Sequence, residues 1–215
     1  MGRDVQCFLL EKTGFIRLSL RRYTNDGGEC AHPQTNGYHQ AKFLTPDELP
    51  TPDDSLLADL KPGETRLGIS YDDARWPSNC VCGFKFGDGV RKQLFTEELY
   101  RRADNGEVIT LREAPHGAMW FSEYLEEYPR MCGPDGKALI VKVMTSEWHV
   151  DGKCNNCTMP EDNVHKCWIR HGTVPNITVD KNGVTCSAGG GSIWVNQGRP
   201  NDWHGFLRNG RLEEC

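Results

Sequence analysis

Ten cysteines in 215 residues restrict this chain more than any other feature. A thiol at that frequency serves as a metal ligand, as half of a disulfide, or as a small buried apolar group. Spacing separates the cases. Cys154-Asn155-Asn156-Cys157 is a C-x2-C pair, which places two thiolates on one metal ion. Cys167 and Cys186 downstream complete a four-cysteine set, and His165 is an alternative ligand. Cys80-Val81-Cys82 is a tighter C-x-C pair and a second, less complete candidate. Cys30, His32 or His39 would supply its remaining ligands. Cys7, followed by Phe8-Leu9-Leu10, reads as a core residue, while Cys132 and Cys215 carry no assigned role.

Compartment bears on the same choice. Met1-Gly2-Arg3-Asp4 leads into only a short apolar patch without a small-residue cleavage site, so no secretory signal is expected. Reduced thiols or Zn2+ then fit better than disulfides, although Asn156-Cys157-Thr158 and Asn176-Ile177-Thr178 have the form of glycosylation sequons. A closed tetrahedral site would be structural and would contribute folding free energy directly; an open one could activate water. No stretch of 18 apolar residues is present, so no membrane-spanning helix is expected. Thirty acidic against twenty-five basic residues give a net charge of −5, which disfavours a phosphate-gripping nucleic-acid binder without excluding a local basic patch.

The pattern along the chain predicts an α+β, strand-rich fold: short strands in hairpins, a few short helices, and stabilisation by zinc. Ala138–Val143 is the strongest strand signal, with Trp148–Asp151 as its pairing strand. Val5–Tyr23 reads as a hairpin-like pair of strands broken near Gly14. Leu94, Phe95, Leu99 and Tyr100 fall near helical spacing, so Gln93–Arg102 reads as helix. Ser122 caps a short helix running to Tyr128. Asp180-Lys181-Asn182-Gly183 joins Ile177–Asp180 to Val184–Cys186, and Asn209-Gly210 closes a final hairpin. We expect a single domain over 1–215, with a loop-rich part at 1–65 and a strand-rich core carrying the cysteine cluster at 66–215.

Catalytic signatures are missing: no H-E-x-x-H, G-x-S-x-G, P-loop or dinucleotide fingerprint occurs. No catalytic residue is assigned, and the chain reads as non-enzymatic. A metal-dependent hydrolase or nuclease using His149, His165 or His204, with Asp151 or Asp162, is the first alternative. A nucleic-acid-binding zinc module using Arg17, Arg21, Arg22, Arg199, Arg208 and Arg211 is the second.

A longer resemblance emerges from combined strings. They include Arg112-Glu113-Ala114-Pro115, Gly117-Ala118-Met119-Trp120, Pro134-Asp135-Gly136-Lys137-Ala138-Leu139-Ile140-Val141-Lys142 and Trp148-His149-Val150-Asp151-Gly152. They continue through His165-Lys166-Cys167-Trp168-Ile169-Arg170-His171-Gly172 and His204-Gly205-Phe206-Leu207-Arg208-Asn209-Gly210. In these the chain resembles a group of small proteins encoded by tailed bacteriophages, especially those of actinobacteria. The resemblance spans most of the chain, is strongest from about Arg112 to Leu212, and covers Cys157, Cys167 and Cys186. It implies an accessory protein of the host bacterial cytoplasm or of the virion. Its partner would be a protein, either a host factor or a virion component, and nucleic acid is not favoured.

Overall fold

The computed structural model describes residues 4–32, 37–51, 69–152, 168–181, 192–195 and 201–215. In chain order the strands begin with β1 (Val5–Gln6), β2 (Phe8–Thr24), β3 (His39–Pro50), β4 (Lys92–Arg102), β5 (Val108–Thr110) and β6 (Ala118–Phe121). A four-residue helix, α1 (Glu123–Glu126), and a 3-10 turn at Pro129–Met131 follow. The remaining strands are β7 (Leu139–Val143), β8 (Ser146–His149), β9 (Trp168–Thr173), β10 (Asn176–Lys181), β11 (Ile193–Val195), β12 (Trp203–Arg208) and β13 (Arg211–Glu214). Strand therefore dominates helix among the described residues, as the sequence leads one to expect. No helix there is long and apolar enough to cross a membrane.

The chain divides into two compact units, one of residues 1–11 with 100–215 and one of residues 12–99. In the first, β6, β7 and β8 form an antiparallel meander, and the start of β2 runs parallel to β6. The alternation of side chains explains why β7 is apolar almost throughout. Met119 and Val141, neighbours in register, enter one core with Ile177, Leu207 and Leu212; Trp120 and Ile140 enter another with Phe8, Tyr100 and Ile109. A strand buried on both faces has no polar side to show. Cys7 belongs to the first of these cores, 3% exposed, and burial pushes its thiol up to about 12. A four-stranded sheet in the order β1-β13-β12-β11 completes that core. Its β12–β13 turn is Asn209-Gly210, both at positive φ (47° and 73°), which is type I′ hairpin geometry. Ser122 caps α1 as expected, its hydroxyl accepting from the Leu125 amide.

Three expectations change. Val5–Tyr23 does not fold back at Gly14. After the brief β1, the chain runs straight through Gly14 in the seventeen-residue β2, and the Thr51 amide and hydroxyl both donate to the Gly14 carbonyl. Gln93–Arg102 is strand, not helix: β4 lies beside β2, and the ladder supplies its hydrogen bonds. Leu94 then packs on the Leu18–Trp76 core, while Phe95 lies under the Arg21 guanidinium, 4.5 Å from its ring centre. A 1-2-6-7 apolar spacing serves either period, and a neighbouring strand decided it. β3 also runs for twelve residues within the part expected to be loop-rich, despite Pro46. The register with β2 shifts between Arg17↔Glu48 and Ser19↔Leu44. Pro46 falls inside that irregularity, where no ladder donor is required.

In the second unit, β2 pairs with β3 over Phe15–Thr24 and lies beside β4. Ile16, Leu18, Leu20 and Arg22 point inward, and Phe15, Arg21 and Tyr23 point outward. β10 pairs with β9, and the partner expected for it at Val184–Cys186 lies outside the described residues.

Candidate metal centre

The turn at Asn25-Asp26-Gly27-Gly28 ends β2 and leads to Cys30, which bridges Gly37 through an amide–carbonyl bond of 2.9 Å. Two residues on, His39 opens β3 opposite Thr24. Cys30 and His39 therefore stand on the two arms of one wide hairpin connection. The other two donors come from a knuckle. The Gly83 amide bonds the Cys80 carbonyl at 2.9 Å, and the Cys80 amide bonds the Phe84 carbonyl at 2.8 Å. That closure directs the sulfurs of Cys80 and Cys82 toward the hairpin.

The ligand atoms of Cys30, His39, Cys80 and Cys82 all lie within 4.8 Å of one another. The Cys30 and Cys80 sulfurs stand 3.9 Å apart. A disulfide requires about 2.05 Å, whereas two thiolates on one tetrahedral zinc at about 2.3 Å each are about 3.8 Å apart. The His39 Nδ1 lies 3.2 Å from the Cys82 sulfur. Separation of the donors thus matches the edges of one coordination tetrahedron. Cys30 and Cys80 are 4% exposed and His39 7%, while Cys82 reaches solvent.

Surrounding groups hold these donors in place. The Gln40 amide donates to the Cys80 sulfur at 3.3 Å, a bond that suits a thiolate. Phe84 stacks on the His39 ring, 4.0 Å between centres and 10° from parallel. Behind Phe84 lies Gly27, where a Cβ would collide with the Phe84 ring. Phe86, Cys30 and Cys80 share a small apolar cluster beneath the site. The Phe84 amide bonds the Cys82 thiol and favours its ionised form. Desolvation and the adjacent Cys80 and Cys30 outweigh that bond, so the Cys82 thiol titrates above its usual range. A divalent ion at this position would supply the positive charge that favours the Cys82 thiolate.

The sequence expectations distribute unevenly over this geometry. Cys80 and Cys82 come together with Cys30 and His39, whereas His32 does not join them. Cys154, Cys157, His165, Cys167 and Cys186, as well as Asp162, lie outside the described residues. Cys7 is core, Cys132 is half-buried and Cys215 is exposed. His149 ends β8, and the nearby Asp151 is occupied by Arg170 at 3.1 Å rather than by a histidine. The His204 Nε2 is hydrogen-bonded to the Ser192 hydroxyl at 2.8 Å, beneath the Trp194 ring. Among the described residues, the Cys30–His39–Cys80–Cys82 group alone has metal-ligand spacing.

Comparison with family models, with curated proteins and with solved structures finds no match for this chain. The chemistry of the site is accordingly argued from its own atoms.

Proposed function

We propose that this chain is a non-catalytic binding module whose unit of residues 12–99 is held together by a structural Zn2+ on Cys30, His39, Cys80 and Cys82. One observation carries the reading: four donors, three sulfur and one nitrogen, within 4.8 Å of one another. Soft thiolates with one imidazole select zinc over the hard cations magnesium and calcium. Four protein ligands fill a tetrahedron and leave no position for a reacting water, so the ion is structural. Ligands drawn from residues 30, 39, 80 and 82 tie the β2–β3 connection to the knuckle. Binding free energy there becomes folding free energy. Likeness to the phage-encoded group favours a protein partner, a host factor or a virion component. The Cys154, Cys157, Cys167 and Cys186 set, with His165, is a further zinc candidate on spacing alone.

Elemental analysis of protein produced in zinc-supplemented medium tests the reading. The wild type carries at least one zinc per chain, and Cys80→Ser loses one equivalent. Replacement by Co2+ gives the absorption of a tetrahedral thiolate site, and that signal too is lost with Cys80. An unchanged zinc content in Cys80→Ser rejects this site, whatever the other cysteines bind.

A further inference from the structure

Among the described residues, Arg22 is a buried cation without an anion. It lies on the inward face of β2 and is only 7% exposed. Its guanidinium meets backbone carbonyls alone: Gly87 and Val90 through Nη2, at 2.5 and 3.3 Å, and Pro77 through Nη1, at 3.4 Å. The Phe86 ring lies 5.3 Å away, and the buried Nε has no hydrogen-bond partner. Among the described residues no carboxylate reaches it. Proteins bury arginine almost only when it is paired, because desolvating an unbalanced charge is expensive. The contrast with Arg170 is direct: that guanidinium is equally buried and is neutralised by two aspartates.

Arg22 borders a pocket of about 530 Å3. Arg91 and Lys92 line the same pocket, with Tyr71, Asp72 and Asp88. The Lys92 ammonium lies 5.5 Å from the Tyr71 ring centre and donates to the Tyr71 carbonyl. Arg91 is exposed, and Tyr71 keeps 43% of its surface in solvent. Among the described lining residues, three cations stand against two exposed carboxylates, and neither carboxylate touches Arg22. The volume falls in the range of small-molecule sites and far exceeds what an inorganic ion fills.

From this pocket we infer a binding site for the phosphate group of a phosphate ester. Arg22 and Arg91 hold the phosphate, Tyr71 stacks on an attached ring, and Asp72 and Asp88 accept from its hydroxyl or amino groups. The planar guanidinium fork matches phosphate oxygens in pairs, and a partly buried site strengthens each such bond. A phosphate supplies the countercharge that no described residue gives Arg22. The same chemistry is presented by a free nucleotide and by the phosphorylated end of a nucleic-acid strand. Recognition is of the phosphate in both.

Calorimetric titration of the full-length, zinc-loaded protein tests this with four probes: adenosine, adenosine 5′-monophosphate, and one pentanucleotide with and without a 5′-phosphate. The monophosphate binds and adenosine does not. Arg91→Ala, a change at an exposed side chain, weakens the monophosphate about tenfold by removing charge-assisted bonds. Arg22→Lys keeps the charge, loses the fork and weakens it as well. Tighter binding of the phosphorylated than of the unphosphorylated pentanucleotide assigns the site to strand ends; equal binding assigns it to the free nucleotide. Equal affinity for adenosine and its monophosphate, or an Arg91→Ala protein that binds the monophosphate as the wild type does, overturns the inference. Zinc content is read separately on the same sample, so failure here leaves the metal centre standing.

Discussion

Single residues show how this chain handles buried charge, and Arg170 shows it most fully. Its side chain is 5% exposed and that of Asp151 3%. The Nε bonds Asp151 at 3.1 Å, and the two Nη atoms grip Asp135 at 3.0 and 2.7 Å. Asp151 also accepts from the Leu139 amide at 3.0 Å, so the cluster fastens β9 to the start of β7. The two carboxyls respond in opposite directions. Burial raises Asp151 above the ordinary carboxylate range despite Arg170, whereas hydrogen bonding to Arg170 lowers Asp135. The lowered group stabilises the fold at neutral pH and loses that contribution as pH falls through its folded value. The raised group costs stability at neutral pH, and protonation relieves the cost. Arg170→Met strands Asp151 as an unpaired buried charge and should cost about 3–5 kcal/mol at pH 7. As pH falls toward about 4 the raised Asp151 takes up its proton and its part of the deficit shrinks, while Asp135, held below the ordinary range, largely keeps its own part. Urea denaturation of variant and wild type at the two pH values measures this. A deficit that stays constant with pH would mean that Asp151 is not ionised beside Arg170.

At the scale of elements, the β12–β13 turn ties several strands together. The Gly210 carbonyl accepts from the Cys7 amide at 2.7 Å and from the Gln6 side chain at 2.8 Å, and its amide donates to the Ile177 carbonyl at 2.8 Å. A Cβ at this position would lie 2.6 Å from the Pro175 carbonyl and 3.0 Å from the Asn176 Cα. Gly210→Ala therefore combines left-handed strain of about 1–2 kcal/mol with a backbone collision, and chemical denaturation should register a loss above 2 kcal/mol. A value near zero would show that the turn shifts freely. The turn was legible in the sequence because Asn-Gly demands its own geometry, and β7 was legible because its apolar run is unbroken. β4 was not: Leu94, Phe95, Leu99 and Tyr100 satisfy a helix as well as a strand, and only β2 beside it resolves the choice. The candidate metal centre was largely legible. Cys80 and Cys82 announce themselves by spacing. Cys30 and His39 stand in the sequence only as candidates beside His32, because what selects them is the pairing of β2 with β3, which no local pattern records.

Across the whole molecule, the two units rest on different foundations. The unit of residues 1–11 and 100–215 contains two apolar clusters of twelve and eight buried residues. Among the described residues, the unit of residues 12–99 has clusters of four and three, and the smaller includes Cys30 and Cys80 themselves. At about 25 cal/mol per Å2, the apolar burial of the described residues favours the larger unit. The zinc proposed for Cys30, His39, Cys80 and Cys82 would add folding free energy to the smaller unit, on the order of 10 kcal/mol in small metal-dependent domains. Removal of metal should therefore act unequally. Hydrogen exchange followed by mass spectrometry, with and without a strong chelator, reads this segment by segment. Protection in residues 16–24 and 39–50 should collapse on chelation, while residues 139–143 and 203–214 keep theirs. Restoring zinc should return the lost protection. Uniform loss over both sets of strands would place the metal's contribution in the cooperative stability of the entire chain. No loss in either would mean that the apolar clusters of the smaller unit suffice without an ion.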